Sequence, residues 1–278
     1  MKPWILSAPA LLLFLLFVAV PLWMILVLSL LHGDRFGGAA APLTLANWRE
    51  VLGDEYYLAG LWRSLRIALW VTGLSAVVGI PEAFVLSRMR PVWRGLCLVI
   101  VLGPLLISIV VRTLGWAFLL GSTGLMNDAL ARLGLPPVAF LYTEAGVVVA
   151  LVHVFSPFMV LAVWTSLQRL DPDLEWAAAS LGARRITVLR RIVLPQIVPG
   201  VLAGGVTVFA LAASAFATPA IIGGRRLKVA SMLAYDEFLN SLDWPLGAAL
   251  AVTMLVGIAA IVGVVSRIAE RRGARGAL

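Results

Sequence analysis

Apolar positions along this chain do not alternate with polar ones; they run on for helix-spanning lengths. Six stretches are long enough to predict membrane-spanning helices, which need roughly 20 apolar residues each. They are Ile5–Leu31, Ile67–Leu86, Gly95–Leu120, Ala145–Leu167, Ile197–Gly223 and Leu246–Ser266. Lipid leaves a backbone only two spanning solutions, helices or a closed barrel, and the missing alternation excludes the barrel. The expected fold is therefore an all-α integral membrane protein, with residues 1–278 forming a single six-helix domain. The first stretch carries Pro9 and Pro21, which spanning helices tolerate. A cleaved signal peptide is the alternative there. Its uncharged run exceeds the usual ~7–15 residues of such peptides, so a retained span is the reading adopted.

One segment breaks the apolar pattern. Residues 171–195, DPDLEWAAASLGARRITVLRRIVLP, carry four arginines, three acids and a helix-stopping glycine between two oily runs. Asp171 suits an N-cap and Pro172 the first helical position. Asp173 and Glu175 place negative charge in the first turns, where the helix dipole favours it. Leu174, Ala177, Ala178 and Leu181 recur at helical spacing and make one narrow face. Gly182 sits where a helix-ending glycine belongs. A second helical stretch is expected over Ile186–Leu194, flanked by Arg184, Arg185, Arg190 and Arg191, with Pro195 marking a break before the next span. Such short helices are marginal alone in water. The hairpin reads equally as a knob that docks into a partner or as an interfacial helix whose arginines grip anionic lipid.

Charge sets the orientation. The side that receives Lys2, the Arg88–Arg94 loop, the Arg169–Arg191 loop and the tail from Arg267 collects 13 basic residues, against eight on the other. The latter side also carries nine acids, Asp236, Glu237 and Asp243 among them. Both termini and the hairpin are thus expected to be cytoplasmic. The formal charge of +8 is distributed as topology demands, so it does not point to nucleic acid. The composition, 62% hydrophobic and 13% charged, agrees with a chain whose solvent is the bilayer. Outside the membrane, Trp48, Tyr56, Tyr57 and Trp62 predict interfacial anchoring on a short amphipathic helix. A short helix is also expected near residues 122–134, with Asn127 or Ser122 at its start and Gly134 at its end.

Chemistry is sparse. Lys2 and Lys228 are the only lysines and neither follows a glycine, so no phosphate-binding GxxxxGK[ST] loop exists. His32 and His153 are far apart in sequence, Cys97 is alone, and no metal-ligand spacing is present. No serine–histidine–acid arrangement is apparent, so an enzyme is not expected. Arg112 is the one clear mid-span charge, a placement that marks a pore or subunit contact, or else an arginine snorkelling to the headgroups. Glu82 lies within reach of Arg88 and Arg90, which predicts a local structural pair. His153 is read as an interhelical hydrogen-bond donor and Pro157 as a kink. The small residues from Ala212 to Thr218 permit close helix packing, with Ser214 and Thr218 as candidate pore-lining groups. Asp236, Glu237 and Asp243 are read as solvated surface.

The hairpin also resembles a known motif. Gly182 followed after nine residues by Ile192-Val193-Leu194-Pro195 resembles the EAA loop of ABC importer permeases, with Ala177-Ala178 in register with its alanines. The motif glutamate falls at position 176, where this chain has Trp176, with Glu175 one residue earlier. The segments LTLANWREVL, VLGPLLISIVVRTLGWAFLLGSTGLMN, DPDLEWAAASLGA and DWPLGAAL extend the resemblance over nearly the whole chain, towards permeases of the spermidine/putrescine type. It implies a type I importer core, an inner-membrane location, and a heterodimer with a second, similar permease. It implies a dimer of ATP-binding subunits that seat the hairpin through Glu175, Trp176, Ala177, Ala178, Gly182 and Arg184. ATP and Mg would then reside in those subunits and no cofactor in this chain. An external solute-binding protein would deliver a polyamine or a related nitrogen-containing solute. Arg112, Trp116, Ser214 and Thr218 become candidates for the transport path. The competing reading is a self-contained carrier or channel, for which a single mid-span charge offers no proton relay.

Overall fold

The computed structural model describes residue 9 and residues 12–33, 39–40 and 42–275, those at 39–40, 172, 225 and 268–275 by their backbone. Lys2 and the beginning of the first predicted span lie outside the described residues. Apart from a two-residue antiparallel pairing of His32–Gly33 with Ala39–Ala40, the regular structure among the described residues is helical. Six helical stretches among them are long and apolar enough to cross a membrane: Leu12–Ser29, Glu55–Arg88, Ile109–Arg132, Glu144–Leu167, Arg185–Ala213 and Trp244–Arg267. They are called spans one to six below.

The helices fall into two compact units, Met1–Arg63 with Val229–Gly257, and Ser64–Lys228 with Ile258–Leu278. In the first unit, a short helix Ala46–Gly53 precedes the first turns of span two. Val51, Tyr57, Leu233, Ala234, Leu246, Ala249 and Leu250 form its core, with Trp48 and Leu61 packed against it. The polar groups at its edge are bonded. Asn47 Nδ2 donates to the Ser29 and Leu31 carbonyls at 3.0 and 2.8 Å, closing the end of span one. Tyr57 donates to Glu237 at 3.0 Å, and Asp243 accepts the Leu246 N–H at 3.0 Å as the cap of span six. Glu237 and Asp243 are therefore built into the fold, where sequence alone suggested solvated surface. Tyr57 is likewise a core residue, where an interfacial anchor was expected.

Glu50, on the short helix, is held above the usual carboxylate range, first by burial and then by the Asp243, Glu237 and Asp54 carboxylates. A carboxyl with a raised folded-state pKa stabilises the fold when protonated. That stability is fully present below the unfolded value of about 4.3 and is lost as pH rises through the raised one. Glu50→Gln is therefore expected to raise the thermal midpoint slightly at neutral pH. The gain should shrink as the pH approaches about 4. A difference that grows on acidification would contradict the assignment.

In the second unit, spans four and five pack along their lengths. Met159 is fully buried and fits against two glycines. A Cβ at Gly79 would lie 2.9 Å from its Cγ, and one at Gly204 would lie 2.9 Å from its Sδ. Gly200, one turn before Gly204, lets span five approach the backbone of span four. This is small-residue packing, the interaction available where lipid removes any hydrophobic preference for association. It sits earlier in span five than the Ala212–Thr218 run suggested, although Ala212 and Ala213 are buried as well.

Several expected boundaries change, and Ile67–Leu86 is the later part of a helix that already begins at Glu55. The stretch Gly95–Leu120 is two helices, Pro91–Leu106 and Ile109–Leu120, joined through extended backbone at Ile107 and Ser108. Pro104, in the last turn of the first, donates no backbone hydrogen bond and weakens the ladder there. The stretch Ile197–Gly223 begins earlier and ends earlier. Arg185–Val188 passes through a π turn at Leu189–Val193 into Leu194–Ala213, so Pro195 lies in the first turn of a continuing helix rather than at a break. At the other end Ser214 Oγ donates to the Ala210 and Leu211 carbonyls at 2.9 and 3.3 Å, and the helix stops. Finally, Asn127 caps nothing. It lies buried inside Leu125–Arg132, donates to the Gly121 and Val138 carbonyls and accepts from the Val138 N–H, pinning the ends of its loop.

Candidate functional site

The hairpin is fixed by local chemistry. The Asp171 carboxylate accepts the Asp173 N–H at 3.0 Å and opens the helix Pro172–Ser180. At its other end the Gly182 N–H reaches the Ala179 carbonyl at 2.9 Å and the Ala183 N–H reaches Ala178 at 3.1 Å. Together with a Gly182 φ of 77°, this is the paired hydrogen bonding of a Schellman turn. The Arg184 carbonyl then accepts the Thr187 and Val188 N–H groups, starting the arm that leads into span five.

The expected docking residues Glu175, Trp176, Ala177, Ala178, Gly182 and Arg184 thus share one hairpin, but they do not share one environment. Glu175 forms an ion pair with Arg88, at the C-terminal end of span two, and is one-fifth exposed. The Arg88 guanidinium also lies over the Phe84 ring, 5.1 Å from its centroid. Trp176 is 72% exposed and Leu181 88%. Arg184 and Ala177 are exposed and Ala178 is half-buried. Beside the Glu175 pair lies a groove of about 620 Å³, walled by Phe84, Ala179, Arg185, Ile186 and Leu189. Arg88 was expected to pair with Glu82; it takes an acid 87 residues away instead. No local spacing carries that signal.

Arg112 and Trp116 lie one turn apart on span three. The Arg112 guanidinium donates to the Pro104 carbonyl across the break at Ile107–Ser108, while its Nε is buried without a partner among the described residues. The carbonyls at the end of Pro91–Leu106 lack helical donors, and an arginine there meets both that need and the helix dipole. Trp116 Nε1 donates to His153 Nδ1 at 3.2 Å, with the two rings edge to face at 5.5 Å. His153 therefore accepts an interhelical bond, the reverse of the donor role expected. Thr218 is 1% exposed and its hydroxyl pairs with that of Thr113 at 3.2 Å, tying the segment after span five to span three. Ser214 is exposed but bonded to its own helix. Span four passes through Pro157 as one helix, Glu144–Leu167. Arg112, Trp116 and His153 thus form one neighbourhood, whereas Thr218 belongs to a buried contact and Ser214 joins neither.

No family model matches the chain. Individual relatives do. It is 31% identical over 253 residues to the spermidine/putrescine transport system permease protein PotB of Haemophilus influenzae, covering 90% of this chain and 88% of that one. It is 32% identical over 243 residues to the protein of the same name from Escherichia coli, covering 87% of this chain and 88% of that one. Among solved structures it matches a bacterial ABC transporter involved in alginate import, with a TM-score of 0.76 and 22% identity over 97% of this chain and 96% of that one. That match carries the fold alone. With relatives above 30% identity covering nearly nine-tenths of both chains, the protein belongs to the permease subunits of ABC importers of the spermidine/putrescine type, multi-pass proteins of the inner membrane.

Proposed function

We propose that this permease forms half of the translocation path of an ATP-driven polyamine importer. In this reading a second, similar permease completes the path and a binding protein outside the membrane delivers the solute. A pair of ATP-binding subunits holds ATP and Mg²⁺ and grips the hairpin 171–195, which faces the cytoplasm together with both termini. The observation that carries the reading is the hairpin: a helix capped at both ends and presenting exposed Trp176 and Leu181 has no use in lipid-embedded packing. The preference for polyamines rests on the named function of the relatives. Arg112, Trp116 and His153 are the groups we assign to the path, Arg112 chiefly by bonding across the break that precedes span three. Coupling then requires that the hairpin be gripped differently in the two access states, because only a differential contact can shift the equilibrium.

The test is uptake by proteoliposomes holding this chain, the second permease and the ATP-binding subunits, with the binding protein outside. Labelled spermidine should accumulate only with all components and ATP. Accumulation by the isolated chain without ATP would replace the reading with a self-contained carrier.

A further inference from the structure

Glu175 and Trp176 are adjacent on one short helix, and the structure places them in different environments. Glu175 turns to the chain's own span two, pairing with Arg88, which in turn stacks over Phe84. Trp176 stays 72% exposed. The hairpin's other large apolar group at the tip, Leu181, is 88% exposed. An indole left in water on a helix tied down at both caps has a surface to fill.

We propose that Trp176, rather than an acid, anchors this hairpin in its ATP-binding partner, while Glu175 is a positioning residue that holds the helix against span two through Arg88. The inference rests on the importer reading above. It also states the chemistry of the partner's surface. That surface has an apolar pocket sized for an indole, with Leu181 at its edge. A basic group faces Asp173, which precedes Trp176 by three residues and lies on the same helical face. An acidic group faces the exposed Arg184. Tryptophan and arginine are the residue types that dominate binding energy when buried at an interface. The bilayer is the competing occupant, since tryptophans settle at headgroups. Asp173, exposed one turn from Trp176, opposes that placement, because an anionic leaflet repels it, and the exposed arginines of the hairpin all lie beyond Gly182, outside the helix that carries Trp176.

The experiment measures the affinity of the ATP-binding subunit for nanodiscs that contain this chain and the second permease. Trp176→Ala is expected to weaken association by about 30-fold or more, the loss typical of a hot spot. Leu181→Ala, a second exposed position on the same surface, should weaken it in the same direction. Glu175→Gln should weaken it by no more than about fivefold, as for a partly exposed ion pair. The exchange Arg88→Glu with Glu175→Arg should restore the wild-type value, a rescue that a purely steric role for Glu175 would not give. Undiminished association of Trp176→Ala, or a larger loss from Glu175→Gln than from Trp176→Ala, overturns the anchor while leaving the importer reading intact. A wild-type chain that captures no ATP-binding subunit overturns both.

Discussion

Replacing Gly200 with alanine is expected to lower the thermal midpoint of the purified permease more than the same change at any other glycine of span five. A Cβ at Gly200 would lie 2.3 Å from Ser166 Oγ and 2.6 Å from the Ala162 carbonyl oxygen. The hydroxyl can swing away; the carbonyl belongs to the backbone of span four and cannot. Overpacking of this kind costs about 1–3 kcal/mol, and a backbone clash places Gly200 at or above the upper end. Gly204→Ala meets the Met159 thioether at 2.9 Å but the backbone of span four only at 3.2 Å, and should cost less. Gly205→Ala, whose nearest neighbour is 3.6 Å away, should be close to neutral. Gly200→Leu should leave little monodisperse protein in detergent. Midpoints measured by differential scanning fluorimetry for the three alanine variants test the order. Three equal values would mean that spans four and five do not approach as closely as this packing requires.

The same comparison shows what a sequence can and cannot disclose. The interiors of the spans were legible because a helix in lipid must be apolar for most of its length, whatever its neighbours. Their ends were not. Pro104 and Pro157 both stand inside apolar runs, yet the chain breaks three residues after one and continues as a helix past the other. Pro157 lies on a span whose inner residues are buried on several sides, and neighbouring helices can hold the backbone despite the missing bond. Pro91–Leu106 has no buried residue within the chain to provide that support. The hairpin was legible for the opposite reason. Asp171, Pro172 and Gly182 act within a few residues of themselves, so their capping roles can be read from spacing. Glu175 with Arg88 and Trp116 with His153 are contacts between distant segments, and nothing local encodes them. Arg112 falls between these cases. Its presence within the span signalled a polar need, but only the folded chain shows that the need arises at the Pro104 carbonyl.

Gly182→Pro is expected to abolish uptake while leaving the membrane-embedded helices folded. Gly182 holds a φ of 77°, and proline is confined near −65°, so the turn between the two arms cannot form. Proline also deletes the N–H that bonds the Ala179 carbonyl at 2.9 Å, half of the paired bonding that ends the first arm. No atom lies within 4 Å of where a Cβ would stand, so the damage comes from backbone geometry and not from collision. This separates Gly182 from Gly200, where the glycine supplies space. Gly182→Asn should therefore be mild, since asparagine tolerates the left-handed region, and Gly182→Ala should cost about 1–2 kcal/mol locally. The thermal midpoint of the proline variant should stay near that of the wild type, because the hairpin contributes little to the packing of the spans. Capture of the ATP-binding subunit should fall by at least tenfold, or ~1.4 kcal/mol of docking free energy, and ATP-dependent uptake with it. If the proline variant transports normally, the orientation of the two arms is irrelevant to coupling, and the hairpin is no more than a link between spans four and five.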